Sequence, residues 1–230
     1  MTFIIQFATL SSMLTIVPTP IGNLKDITLR SLEILQSCDG VICEDTRRTG
    51  LLLNHYQINK PLIVLNDFNE AKNLALLISR LKSGEKLALV SDAGTPLISD
   101  PGYKLVRECI HQGIEVDSLP GPSSVITALT LSGLPPDRFL FVGYPPEKSG
   151  KRIKWLGDLK KADSTVIMFV SPYKLLTTLQ DMKNVFGDIE VVLAHELTKI
   201  HQSVESRLIS GWLINLKKPK GEYILLFNLT

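Results

Sequence analysis

"KLALVSDAGTPLISDPGYKLVRECIHQG" runs from Lys86 to Gly113. After Lys86 the first residues are apolar, as in a strand buried on both faces. From Tyr103 the pattern turns helical and ends at Gly113. Between the two lies "VSDAGTPLISDPG", Val90 to Gly102, dense in Gly, Pro and Asp. Gly94 permits positive φ or close approach of a ligand to the backbone. Pro96 and Pro101 stiffen the loop and remove two N–H donors. Ser91, Thr95 and Ser99 add hydroxyls. A strand, a hydroxyl-rich loop and a helix in succession form the unit of a parallel α/β sheet. An ordered turn with Asx-type caps accounts for the same composition, so this loop alone does not decide between architecture and site.

The same alternation repeats on both sides. "LTIV" (14–17), "GVIC" (40–43), "PLIVLN" (61–66) and "IEVDSL" (114–119) read as strands. "ITLRSLEILQSC" (27–38), "EDTRRTGLLLNHY" (44–56, helical after a Thr46 N-cap), "NEAKNLALLISRLKSG" (69–84) and "PSSVITALTLSG" (122–133) read as helices. Leu74, Leu77, Ile78 and Leu81 share one face. Helical patterning lapses over "GLPPDRFLFVGYPPEKSG" (133–150). A second set follows: "STVIMFV", "YKLLTTLQDMKNVFG" and "EVVLAHEL". Two last strands, near Ser203 to Leu208 and in "EYILLFNL", have only a turn-like connection and are expected to pair antiparallel. The expectation is two α/β domains with mainly parallel sheets. Their bounds are an N-terminal extension at 1–13, a first domain at 14–135, a linker at 136–150 and a second domain at 151–230.

The totals exclude several classes. Of 230 residues, 44% are hydrophobic and 21% charged, a globular balance rather than a disordered one. No apolar run reaches the roughly 18 residues that span a bilayer. "MTFIIQFATLSSM" has no basic residue ahead of its apolar part, so no signal peptide is expected, and Met13 is a candidate start. Cys38, Cys43 and Cys109 are odd in number and lack metal-ligand spacing, which points to reduced, packed thiols and a cytoplasmic protein. A net charge of +2 argues for no nucleic acid by itself.

Two more strand ends resemble the first. "VPTPIGNLKD" (17–26) and "LPGPSSV" (119–125) also leave their strands through Gly, Pro and hydroxyls. Ligands of open parallel sheets bind beyond the carboxyl ends of strands. Neither GxGxxG nor GxxxxGK[ST] is present, so a dinucleotide fingerprint and a phosphate loop are disfavoured. A ligand gripped by backbone amides and carbonyls fits better.

Taken together, "PTPIGNLKDITLRSLEIL", "EDTRRTGLLLNHY", "LVSDAGTPLISDPGYKLV", "LPGPSSVITALTLSGLP" and "ELTKIHQ" resemble the tetrapyrrole-methylase superfamily. Within it they resemble the ribosomal RNA branch, which methylates the 2′-oxygen of a cytidine in small-subunit rRNA. The resemblance extends from Leu14 to Leu229. It implies S-adenosylmethionine (SAM) in a cleft between two α/β domains, a 30S or rRNA substrate and a homodimer; the chemistry of SAM demands no metal, and no His, Cys or carboxylate set has metal spacing. On the matching motifs it implies that Gly94, Thr95, Pro96 and Ile98 line the SAM site. Ser123 and Ser124 face it, and Pro18 and Pro20 close its floor. Val170, Ala194, Gly221 and Glu222 cover the adenine and methionine ends.

Transfer to a ribose hydroxyl needs alignment and a proton acceptor. Asp45 is the candidate base or orienting group, with Arg47 on an RNA phosphate. A helix start with Asp45 and Thr46 as caps and solvated Arg47 and Arg48 is the plain alternative. Asp92 is a candidate for positioning SAM or the ribose, or an Asx turn. Glu196 and Lys199 are expected to pair or to line the cleft. His195 and His201 are expected to make local hydrogen bonds. Arg47, Arg48, Asn69, Lys148, Lys151 and Arg152 are the candidate RNA contacts, and Trp155 is a stacking or core residue. The chain departs from the family pattern at Val170–Lys174, His195 and Asn66–Glu70, and it stops at Thr230, short of the small C-terminal domain of many relatives. The rival expectations are a methylase of a tetrapyrrole or other small molecule, and a non-catalytic RNA-binding assembly factor.

Overall fold

The computed structural model describes residues 13–66 and 70–229. The expected extension before Met13 lies outside the described residues. The chain divides into two compact units between Pro122 and Ser123.

The first unit alternates β1 (Met13–Ile16), α1 (Leu29–Ser37), β2 (Gly40–Cys43), α2 (Thr46–His55), β3 (Leu62–Val64), α3 (Glu70–Lys82), β4 (Lys86–Leu89), α4 (Tyr103–His111) and β5 (Glu115–Ser118). Its sheet runs β3-β2-β4-β1-β5, and every pairing is parallel. Strand side chains alternate between two cores. Leu87 and Leu89 pack with Leu77, Leu81 and Leu105 on one face, and Ala88 and Val90 with Leu35 and Leu53 on the other. Burial on both faces is why the central strands read as unbroken apolar runs. The edge strands β3 and β5 are only partly buried. The topology places the carboxyl ends of β2, β4 and β1 side by side.

The second unit contains α5 (Ser124–Ser132), β6 (Phe139–Phe141), α6 (Ser149–Leu159), β7 (Thr165–Val170), α7 (Pro172–Phe186), β8 (Glu190–His195), β9 (Ser203–Leu208), α8 (Ile209–Asn215) and β10 (Tyr223–Phe227). Its order is β6-β7-β10-β8-β9. Only β6 and β7 are parallel, and the other three pairings are antiparallel. The expectation of a mainly parallel sheet therefore holds for the first unit and not for the second. The reason is α8, which the sequence reading missed. It carries the chain from the end of β9 back to the level of His195, so β10 enters between β7 and β8 running opposite to both. β9 and β10 are not neighbours. Trp212 anchors α8 by donating from Nε1 to the Val191 carbonyl at 2.8 Å.

The boundary also differs from the expected linker at 136–150. α5 packs on β8, β9 and β10, and β6 falls inside the expected linker. Helical patterning lapses there because the segment holds the three-residue strand β6 between loops. Cys38, Cys43 and Cys109 are buried free thiols, as expected. No helix among the described residues is long and apolar enough to cross a membrane.

Candidate functional site

Three loops meet at the carboxyl end of the first sheet. Thr19 and Gly94 exchange backbone hydrogen bonds, Thr19 N–H to Gly94 O at 2.9 Å and Gly94 N–H to Thr19 O at 3.0 Å. Thr19 Oγ1 also donates to the Ser91 carbonyl at 3.1 Å. Thr95 Oγ1 donates to the Pro122 carbonyl at 2.9 Å, which ties in the third loop. Gly121 lies against Pro18 so closely that a Cβ there would sit 2.6 Å from Pro18 Cβ. The bends at Thr19, Gly94 and Pro122 thus share one rim of the first unit. Pro18, Pro20 and Pro96 are buried within it, whereas Ile98 is exposed. Ser123 follows Pro122 directly and caps α5, where its Oγ accepts from Ile126 N–H at 3.5 Å.

The Val90–Gly102 loop holds strained backbone. Leu97 and Ser99 adopt positive φ of 75° and 69°, between Gly94 and Gly102 at 83° and 118°. Non-glycine residues persist there only where surroundings hold them. Glu70 is one such restraint. Its buried carboxylate accepts from Gly102 N–H at 3.2 Å and Lys104 N–H at 3.0 Å, and it pairs with Lys104 Nζ at 3.4 Å. A carboxylate on the N-terminus of α4 also complements the helix dipole.

Beside this loop, β2 ends in Glu44 and Asp45. Asp45 is the N-cap of α2, a place the sequence reading gave to Thr46. Its Oδ1 accepts from Arg47 N–H at 2.8 Å, and Oδ2 accepts from Arg47 Nη2 at 2.7 Å. These bonds hold its pKa down at about 2. The geometry therefore corrects the reading of Asp45 as a base: its lone pairs are spent, and its basicity is too low to take a proton well near neutral pH. Asp92 Oδ1 accepts from Asp45 N–H at 3.2 Å, and Oδ2 lies 3.4 Å from Arg48 Nε. Burial pushes the Asp92 carboxyl up.

Asp100, in the same loop, is a carboxyl that the sequence reading passed over. Its carboxyl is pushed up to about 6, first by burial and then by the charges of Glu44 and Asp92, against a hydrogen bond from Ser91. A proton acceptor works best with a pKa near the operating pH. The only sequence signal was an Asp inside "SDPG", which also describes an ordinary turn.

The second unit gathers its expected residues on a rim of its own. Val170, Tyr223 and His195 form one row across the ends of β7, β10 and β8. Gly221 and Glu222 lead into that row. Val170 and Ala194 are nearly fully buried, so a ligand at this rim meets their backbone rather than their side chains. Glu196 Oε1 accepts from Glu222 N–H at 2.9 Å and from Lys199 Nζ at 3.0 Å, while Lys199 also reaches Glu222 Oε2 at 3.0 Å. The expected Glu196–Lys199 pair thus forms, on a turn in which Glu196 and Thr198 have positive φ. Gly221 has a φ of 80°, a conformation that favours glycine, and a Cβ there would also displace the Glu196 carboxylate, 2.7 Å away. His195 Nε2 lies 2.9 Å from the Lys220 carbonyl, the local hydrogen bond expected of it.

The basic residues separate into two kinds. Arg47, Arg48, Lys148 and Lys151 are exposed. Arg152 is not: it is 2% exposed, pairs with Asp181 at 2.6 Å and donates to the Pro146 and Glu147 carbonyls at 3.1 and 3.0 Å. A guanidinium so enclosed cannot reach an RNA phosphate, which corrects that expectation. Trp155 is half-buried against the core of the second unit. Asn69 lies outside the described residues. No group of three or more His, Cys, Asp or Glu with metal-site geometry occurs among the described residues.

The model of the family described as "Tetrapyrrole (Corrin/Porphyrin) Methylases" matches residues 13–210. A protein of Thermotoga maritima is 47% identical over 91% of this chain and 95% of its own length; its name is "Ribosomal RNA small subunit methyltransferase I". Proteins of the same name from Vibrio cholerae and Escherichia coli O157:H7 are each 48% identical, over 93% of this chain and 76% of their own length. Among solved structures, diphthine synthase superposes with a TM-score of 0.73 at 17% identity, covering 93% of this chain and 88% of that one. A cobalt precorrin-4 methyltransferase of cobalamin biosynthesis superposes with a TM-score of 0.69 at 18% identity, covering 94% of each chain.

Proposed function

The chain belongs to the tetrapyrrole (corrin/porphyrin) methylase family, and on that premise we propose that it moves a methyl group from SAM to the 2′-oxygen of a cytidine ribose in small-subunit rRNA. The observation that carries this reading is identity of 47–48% to rRNA methyltransferases over more than nine-tenths of the chain. The solved neighbours, at 17–18% identity, carry the fold and no substrate, so a tetrapyrrole acceptor has no comparable support.

The residues fit such a cofactor. SAM has no phosphate, and the first rim has hydroxyls, backbone groups and glycine in place of a phosphate loop. Gly94, Thr95 and Pro96 of the first unit would hold it, with Pro18 and Pro20 beneath. Ser123 and Ser124 would offer hydroxyls and the N-terminal amides of α5, which favour a carboxylate. When bound, SAM supplies an electrophilic methyl group.

The chain's own part is proton handling and alignment. Asp100 takes the ribose proton: burial lifts its carboxyl to about 6, and a nearby hydroxyl, Ser91, orients it. Asp45 orients Arg47 and the α2 N-terminus, and Asp92 braces the Asp45 amide and Arg48. Arg47 and Arg48 face phosphates from exposed positions, with Lys148 and Lys151 as further phosphate contacts. Glu196 fixes the Glu222 amide rather than exchanging protons. Within the same reading the enzyme is a cytoplasmic homodimer, which light scattering tests for the assembly. The activity is tested by titrating SAM calorimetrically and then offering 30S subunits, free rRNA and uroporphyrinogen. Methylation of 30S subunits or rRNA supports the reading. SAM binding with transfer to uroporphyrinogen alone contradicts it.

A further inference from the structure

The rim of the second unit carries two apolar side chains that the proposed chemistry does not use. β7 leaves the row of Val170, Tyr223 and His195 through Ser171 and Pro172 into Tyr173. β8 leaves it through a turn that carries Ile200 before β9 begins. Tyr173 is 91% exposed and Ile200 97%, the highest values for large apolar residues among those described. Single exposed apolar residues are ordinary. Two of them at one sheet end, one in the first turn of α7 and one in the turn after β8, with lysines on the adjoining segments, are a different arrangement.

Tyr173 is held on a fixed element. Pro172 occupies the first helical position of α7, so Tyr173 stands in the first turn of a 15-residue helix rather than on a loose loop. Lys174 follows it and is exposed. Lys217, Lys218 and Lys220 are exposed on the segment that enters β10, and the 2.9 Å contact between His195 Nε2 and the Lys220 carbonyl fixes that segment at the rim. The carboxylates nearby, Glu196 and Glu222, are both occupied by Lys199. Cations beside a rigid, water-exposed ring match the two requirements of single-stranded nucleic acid: charge for the backbone and a stacking platform for a base. A base still stacked in an A-form helix cannot present its face in this way.

We propose that this rim is a contact surface for unpaired RNA, on which Tyr173 stacks against a base, Ile200 packs against the adjoining nucleotide, and Lys174 and Lys220 face the phosphates. The proposal rests on the rRNA reading and adds to it the strand state of the bound segment and the residue that grips it.

The test uses the full chain saturated with SAM, a fluorescein-labelled single-stranded RNA 20-mer and 30S subunits. Tyr173→Ala is expected to weaken binding of the 20-mer by roughly 5- to 100-fold, while Tyr173→Phe keeps it within about two-fold. With 30S subunits the alanine variant should raise KM and leave kcat nearly unchanged. SAM affinity should match the wild type in both variants. Wild-type RNA affinity in Tyr173→Ala overturns the proposal, and so does an equal loss of SAM affinity, which would place Tyr173 in the cofactor site. A wild-type protein that neither binds nor methylates either RNA overturns the substrate reading itself.

Discussion

Thr19 and Gly94 bond to each other through both their backbones, at 2.9 and 3.0 Å, and so lock the loop after β1 to the loop after β4. Gly94 has a φ of 83°, and a Cβ there would lie 3.2 Å from Ile21 Cγ2. Gly94→Ala should therefore cost about 1–2 kcal/mol of backbone strain and loosen the rim. Urea unfolding should show the first, and calorimetric SAM titration should show weaker binding.

Gly121→Ala should destabilise by about 1–3 kcal/mol or more, because its Cβ would meet the rigid Pro18 ring rather than a flexible side chain. Gly157→Ala is the contrast. That glycine lies inside α6 with nothing within 4 Å of the added carbon, so alanine should stabilise by about 0.5–1 kcal/mol. Thermal melts of the two variants should shift in opposite directions.

Asp100 links activity and stability to pH. Burial, with Glu44 and Asp92 facing it, raises its carboxyl from 3.8 to about 6. Between those values the folded chain binds a proton that the unfolded chain has released, so this contribution to stability falls as pH rises through the window. Methyl transfer should do the reverse, rising with pH to a plateau above about 6, since the acceptor must be ionised. Asp100→Asn should remove the activity inflection, lower kcat by roughly 10²–10⁴-fold and leave SAM affinity unchanged. Denaturation midpoints at pH 5 and 7.5 should also become more nearly equal.

Arg152 and Asp181 test whether a basic residue near an exposed cluster serves RNA or the core. The pair is buried and further fixed by Ser149 Oγ at 2.9 Å from Asp181 Oδ1. Asp181→Ala leaves a buried guanidinium without its partner and should cost about 3–5 kcal/mol. Folded Asp181→Ala protein should keep the wild-type salt dependence of RNA binding. Lys148→Ala with Lys151→Ala should do the opposite, keeping stability and reducing the log–log salt slope by about 0.7 for each phosphate that is no longer neutralised.

The first unit was legible because its strands are buried on both faces and its loops announce themselves with Gly and Pro. "KLALVSDAGTPLISDPG" gave β4, the loop and the start of α4 nearly to the residue. The second sheet was harder. α8 is seven residues long, and a single buried Trp212 and Ile209 hold it, so no period stood out. Without α8, the two last strands read as a hairpin that does not exist. Arg152 looked like its lysine neighbours because burial belongs to the partner, Asp181, 29 positions away. The contrast between Asp45 and Asp100 was hidden for a similar reason. The first is fixed by Arg47 two residues on, and the second is raised by burial and then by Glu44 and Asp92, which spacing along the chain does not reveal.

Transfer to a ribose oxygen in small-subunit rRNA is tested most directly by mapping the product. 30S subunits treated with the protein and methyl-labelled SAM should carry label on one cytidine, and alkaline hydrolysis should fail at the bond that follows it, since a methylated 2′-oxygen cannot attack the neighbouring phosphate. Label on a base with alkaline cleavage intact, or no label on rRNA by a protein that binds SAM, would contradict the account.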